Sequence, residues 1–244
     1  MDKRGLAVES AENVCGGECV RRLSRRIGTV TVTDIRTLYM HHSENRTGRY
    51  ITLEGDTADR NMTALVRSAL LQFIPDRGRL LAVGLGNPDI TYDRLGAAVI
   101  RTLTAKRGRR YSLCAVETDV AVRTGIESAR LVRAAAHEMK ADCVIVFDAL
   151  SCHSPQRIGK TVQITDMGLV PASGTAQDGK MQMGLTKENL GMPVIAAGVP
   201  LMTELSAITS NPADKVFHIA SSDCDTLIKI WAEILGGAVD LIVG

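Results

Sequence analysis

Leu80-Leu81-Ala82-Val83-Gly84-Leu85-Gly86-Asn87-Pro88-Asp89-Ile90-Thr91-Tyr92-Asp93-Arg94-Leu95-Gly96 changes its residue pattern twice. It opens as a short apolar run, the pattern of a buried strand. It breaks at Gly84, Gly86, Asn87 and Pro88, which are turn formers. Leu95, Val99, Ile100 and Leu103 then recur at helical spacing. The stretch therefore reads as strand, tight loop and helix. In open α/β sheets, ligands bind at the carboxyl ends of the strands. Asp93 falls in the loop that emerges there.

The same alternation continues outward. Cys143-Val144-Ile145-Val146-Phe147 is a nearly continuous apolar run, as expected of a central parallel strand covered on both faces. It ends in Asp148. Tyr111–Val116, Thr161–Thr165, Pro193–Val199 and Val216–Ala220 read as further strands, the third bounded by Pro193 and Pro200. Helical stripes cover Asn61–Phe73, a segment running to about Lys140, and a closing helix over roughly 224–236. Thr124 and Glu127 have capping-box spacing, and Ser221-Ser222-Asp223 offers caps for the last helix. Ile27–Asp34 and Arg49–Glu54 form an expected antiparallel hairpin. Residues 166–192 read as a polar, glycine-rich excursion. These patterns predict an α/β fold with a mainly parallel sheet, helices on both faces and an N-terminal β-hairpin. Residues 1–26 read as a peripheral segment and 27–244 as one domain.

The 244 residues carry a formal net charge of +2 and are 45% hydrophobic, so a core forms without staples and no polyanion-binding surface is indicated. Three Phe, four Tyr and one Trp are too few for base-stacking platforms. No stretch approaches the roughly 20 apolar residues that span a bilayer, and no signal peptide is expected. The six cysteines are read as reduced thiols, with the Cys15/Cys19 pair lacking a second pair at zinc-finger spacing. His41-His42 reads as a solvated loop pair.

Asp93 and Asp148 are the candidate chemistry. If their strands are parallel neighbours, both carboxylates meet at one sheet edge. Two close carboxylates do not both ionise readily, so one keeps a proton and serves as acid while the other serves as base. Such a pair also suits a divalent metal, and an aspartate after a strand also serves as a cap or turn former. Gly84-Leu85-Gly86 is not a dinucleotide fingerprint, because the third glycine would fall on Asp89. Thr165-Asp166-Met167-Gly168 reads as a turn. Ser151, His153 and Ser154 lack a nucleophile-elbow motif.

Several stretches, in order, resemble the spore germination protease family. They are Leu6-Ala7-Val8-Glu9, Gly48–Glu54, Val83–Asn87 with Asp93–Gly96, Thr124–Ser128, Phe147–Leu150, Val162–Gly168, Pro171–Gly174, Leu185–Ala196 and Gly198–Pro200. The resemblance implies an endopeptidase that degrades small acid-soluble spore proteins at germination. It also implies a zymogen with a short propeptide, a homotetramer, a cytoplasmic (spore core) setting and a fold similar to hydrogenase maturation proteases. No cofactor, direct nucleic-acid contact or membrane partner is expected. Two aspartates are implicated in the family, and they match Asp93 and Asp148. Processing would fall between Gly5 and Leu6, where the family's usual preceding Asp is replaced by Gly5. Pro171-Ala172-Ser173-Gly174 also departs from the usual Pro-Gly-Ser-Gly. The alternatives are a catalytically inactive homologue that binds spore proteins and a nickel-dependent maturation-type protease.

Overall fold

The computed structural model describes residues 6–9, 20–37, 48–170 and 183–244. The elements, in chain order, begin with β1 (Val20–Ile27), β2 (Val30–Thr37), β3 (Gly48–Glu54), α1 (Met62–Leu70) and β4 (Gly78–Gly84). They continue with α2 (Leu95–Thr102), β5 (Lys106–Arg107), β6 (Tyr111–Glu117), α3 (Ala121–Thr124), α4 (Ser128–Glu138) and β7 (Cys143–Cys152). Then come β8 (Thr161–Thr165), α5 (Lys187–Leu190), β9 (Val194–Glu204), α6 (Ser206–Thr209), β10 (His218–Ala220) and α7 (Cys224–Val243).

The strands form one sheet in the order β1-β2-β3-β8-β9-β7-β4-β6-β5, with β10 on β9. Its centre is parallel: β9 pairs with β7, β7 with β4, and β4 with β6. The other described pairings are antiparallel. The expected mainly parallel sheet is thus a mixed one. The reason is β8, which returns antiparallel between β9 and β3 and so welds the N-terminal strands onto the parallel centre.

Alternation along the central strands feeds two cores. Leu80, Ala82, Cys143, Ile145 and Phe147 face α1, α2 and α7, where Trp231 is fully buried and donates its indole N–H to the Gly159 carbonyl at 2.8 Å. Leu81, Val83, Val144 and Val146 face α4 through Ala129, Val132 and Ala136. Helices therefore cover both faces, as read from the apolar runs.

Several boundaries differ from expectation. Strand β1, charged and exposed along most of its length, carries no apolar alternation; it is a solvent-facing edge whose arginines discourage further pairing. Strand β9 runs through Pro200 instead of ending there. The β7–β9 register shifts between Leu150 and Ser151, directly beside the Leu150–Pro200 pair, and the Pro200 carbonyl accepts the Gly159 N–H at 2.8 Å. The closing helix α7 is 20 residues long because its apolar stripe continues through Ala238, Val239, Ile242 and Val243.

Residues 6–9 dock as a third small core. Leu6, Ala7 and Val8 are buried with Ile35 and Cys152. The Ala7 N–H reaches Gln163 Oε1 at 2.6 Å. Glu9 is buried, and its carboxylate accepts the backbone N–H groups of His153 and Ser154 at 2.8 and 2.9 Å. Arg157, itself largely buried and also paired with Glu54, lies 3.3 Å away. Removing one partner of such a pair leaves the other charged and desolvated. Glu9→Gln is expected to lower unfolding free energy by about 2–3 kcal/mol, measured by urea denaturation at pH 7; an unchanged midpoint would show that the segment contributes nothing to the fold.

Candidate active site

The carboxyl ends of β4, β6 and β7 lie side by side, as their parallel registers require. Beyond β4 the chain crosses directly onto β7, where the Leu85 N–H donates to the Phe147 carbonyl at 2.9 Å. Gly86 then adopts φ +103°, a conformation that disfavours any side chain, and a Cβ there would collide with the Asp93 carbonyl oxygen. Gly96, at the start of α2, is pressed against the Leu85 backbone and the Phe147 carbonyl. These two absent side chains fold the loop back on itself. The loop ends in a single 3-10 turn, Thr91–Asp93, which packs against β7 and β9.

In that turn Asp93 is partly buried, and its Oδ2 accepts the Asn87 N–H at 2.7 Å. Burial raises its pKa; the Asn87 hydrogen bond opposes this, and the charge of Asp119 adds to it. Asp148 lies within β7 and not at its end, since the strand continues to Cys152. The neighbouring β4 nevertheless stops at Gly84, opposite Phe147, so Asp148 emerges just beyond the last β4 pair. Burial pushes its carboxyl up to about 8, and the nearby charge of Asp93 pushes the same way against one hydrogen bond from Ala149 N–H. The two aspartates therefore lie at one sheet edge, where the charge of Asp93 acts on Asp148.

A third carboxylate at this edge was not singled out in the sequence. Asp119 follows β6 by two residues, beside the carboxyl end of β4 with which β6 pairs in parallel. Applying the strand-end rule to Glu117-Thr118-Asp119 finds it. The corner is held by Thr118, whose N–H and Oγ1 both donate to the Gly84 carbonyl at 2.9 and 3.1 Å. Arg123 of α3 stands beside it, 3.4 Å from Asp119 Oδ2.

The remaining candidates sort plainly. Leu6 is fully buried in the docked N-terminal segment, whereas Gly5 lies outside the described residues, as do Cys15, Cys19, His41, His42 and Pro171–Gly174. His153 is exposed, and its backbone, not its ring, binds Glu9. Thr165–Gly168 is a turn in which the Met167 N–H meets Thr165 Oγ1 at 3.0 Å and Asp166 Oδ1 accepts the Arg49 N–H at 2.8 Å. The capping box does not form: α4 starts at Ser128, and the Thr124 hydroxyl is bonded within its own turn to the Val120 and Ile126 carbonyls. Burial pushes the Cys143 and Cys152 thiols up to about 12, so neither is a reactive thiolate at neutral pH. Among the described residues, no three His, Cys, Asp or Glu side chains converge as a metal site. No described helix is long and apolar enough to cross a membrane.

A family model described as Germination protease matches residues 9–224. A protein named Germination protease from Clostridium acetobutylicum is 32% identical, with the match covering 87% of this chain and 74% of that relative. One of the same name from Clostridium tetani is 29% identical, covering 84% and 68%. One from Bacillus pumilus is 33% identical, covering 71% of this chain and 52% of its own length.

The raised Asp148 pKa fixes the sign of a stability trend. The folded chain keeps a proton that the unfolded chain releases near the ordinary carboxyl value of 3.8. Stability therefore falls as pH rises from about 4 to about 8, by at most about 1.4 kcal/mol per pH unit for one proton. The raised pKa of Asp93 acts in the same direction. Denaturation of Asp148→Asn between pH 5 and 8 is expected to show a flatter slope and a more stable protein at pH 8; parallel curves for the two proteins would contradict the buried acid.

Proposed function

The chain belongs to the germination protease family, a family of peptidases, and from that premise we propose that it is an endopeptidase whose site is the Asp93–Asp148 pair. The observation that carries this reading is the shared sheet edge on which the charge of Asp93 raises Asp148. The asymmetry of the pair suggests a role for each member. Asp148, on a strand buried on both faces, holds its proton. Asp93, in an exposed-sided turn and already accepting the Asn87 N–H, is the member suited to ionise.

In the proposed reaction, Asp93 takes a proton from water as the water oxygen bonds to the scissile carbonyl carbon. Asp148 gives its proton to the carbonyl oxygen, forming a neutral tetrahedral diol. On collapse the C–N bond breaks, Asp93 passes its proton to the departing nitrogen, and a diol hydroxyl returns a proton to Asp148. Both aspartates then stand as they began. This cycle uses no group beyond the two carboxyls and water.

Small acid-soluble spore proteins are the proposed substrates and the spore core the proposed setting. The parallel β9-β7-β4-β6 centre, with acids at its carboxyl edge, supports a likeness to hydrogenase maturation proteases. We further propose processing between Gly5 and Leu6 of a zymogen, and assembly as a homotetramer. Burial of Leu6 and the Ala7–Gln163 bond suit a new N-terminus that stays seated after cleavage.

The test is hydrolysis of a purified spore DNA-binding protein. Asp93→Asn and Asp148→Asn are each expected to lower kcat about 100-fold or more, with KM little changed. The wild-type rate should fall as pH rises through about 8, where Asp148 loses its proton. Full turnover by either variant defeats the paired-carboxyl assignment, and wild-type binding without hydrolysis would favour an inactive homologue.

A further inference from the structure

We infer that Arg123 is a positioning residue for Asp93, acting through Asn87, and that Asp119 completes the site as its third carboxylate. The inference rests on the reading of Asp93 and Asp148 as the reacting pair. Its basis is a short chain of contacts. Arg123 Nη1 lies 2.6 Å from Asp89 Oδ2 and donates to Asn87 Oδ1 at 3.2 Å. The same Asn87 oxygen accepts the Asp89 N–H at 3.0 Å. The Asn87 backbone N–H, held in place by this arrangement, is the one that donates to Asp93 Oδ2 at 2.7 Å. Arg123 Nε faces Asp119 Oδ2 at 3.4 Å. One guanidinium therefore ties the loop after β4 to the loop after β6, with its fork directed at two loops at once.

The far end of the clamp is itself fixed. Asp119 Oδ1 accepts the Val120 N–H at 2.7 Å, and the Asp119 carbonyl accepts the Ser128 hydroxyl at 3.1 Å. A single exposed ion pair contributes little. Here the arginine has three partners and reaches the bond that orients the reacting carboxylate, and small misplacements at such a group are costly in rate. Asp93 is faced by Asp119 after β6 and by Asp148 on β7, while its neighbour Arg94 turns away to Asp225 of α7. Asp119 thus opposes ionisation of Asp93, and Arg123 offsets Asp119.

Carboxyl 13C NMR of the resting protein reads the Asp93 titration midpoint directly, and spore-protein hydrolysis reads kcat and KM. Arg123→Gln is expected to raise the Asp93 midpoint by about half a pH unit or more and to lower kcat about tenfold with KM within about twofold. Asp119→Asn is expected to lower the midpoint and move the acid limb of the rate profile to lower pH. Arg123→Lys, which keeps a charge without the fork, should fall between wild type and Arg123→Gln in kcat. An Asp93 midpoint unmoved in both Arg123→Gln and Asp119→Asn overturns the inference, even if the rate falls. Full turnover by Asp93→Asn would instead remove the catalytic reading, and the NMR midpoints would still test the linkage of Arg123 and Asp119 to Asp93.

Discussion

The site depends on two places where no side chain fits. Gly86 lies against the Asp93 carbonyl, and Gly96 lies against the Leu85 backbone and the Phe147 carbonyl. With a Cβ at either position, the loop after β4 moves off the strand ends. The Leu85–Phe147 bond, the Asn87–Asp93 bond and the 3-10 turn are then lost together, because all three need the loop folded tightly onto β7. The glycines thus act by permitting close packing of backbone on backbone, not by cradling a ligand. Gly84-Leu85-Gly86 matches a dinucleotide-binding loop only in its first two glycines, and Asp89 stands where that loop needs its third.

Much of the centre was legible in the sequence because buried parallel strands have a strong signature. Cys143–Phe147 is apolar at every position since β7 is covered by α4 on one face and by α1, α2 and α7 on the other. The antiparallel partnership of β2 and β3 was legible too, from β-branched alternation on a half-buried pair. Asp93 was legible as an acid in the loop after a parallel strand, and Asp148 as the residue that ends the apolar run of the neighbouring strand, although β7 continues past it. The same strand-end reading reaches Asp119, which went unnoticed because Glu117 and Thr118 blur the end of β6.

The rest was illegible for physical reasons that differ from case to case. Strand β1 pairs fully with β2, but its Arg21, Arg22, Arg25 and Arg26 sit in solvent, so nothing in its side chains reports on its backbone bonds. Strand β9 passes through Pro200, where proline would ordinarily end a strand, because the register slip against β7 and the bond from Gly159 lie elsewhere in the chain. Thr124 and Glu127 have the right spacing for a cap, yet Gly125 ends α3 between them and commits the threonine hydroxyl to that turn. In each case a long-range or competing local bond overrides a short-range pattern.

Asp148 shows why stability and chemistry pull against each other here. Val144, Ile145, Val146 and Phe147 before it are all fully buried, so the next side chain has little water to ionise into. One N–H from Ala149 does not offset that loss, and the charge of Asp93 adds to it. A protein selected for stability alone would replace such a carboxyl with an uncharged isostere. Asp93 is also raised by burial, and the Asn87 N–H opposes that shift. The burial that weakens the fold at neutral pH is therefore the same feature that keeps a proton on Asp148. A carboxyl held protonated beside a second carboxyl is the kind of perturbed pair that points to a functional site.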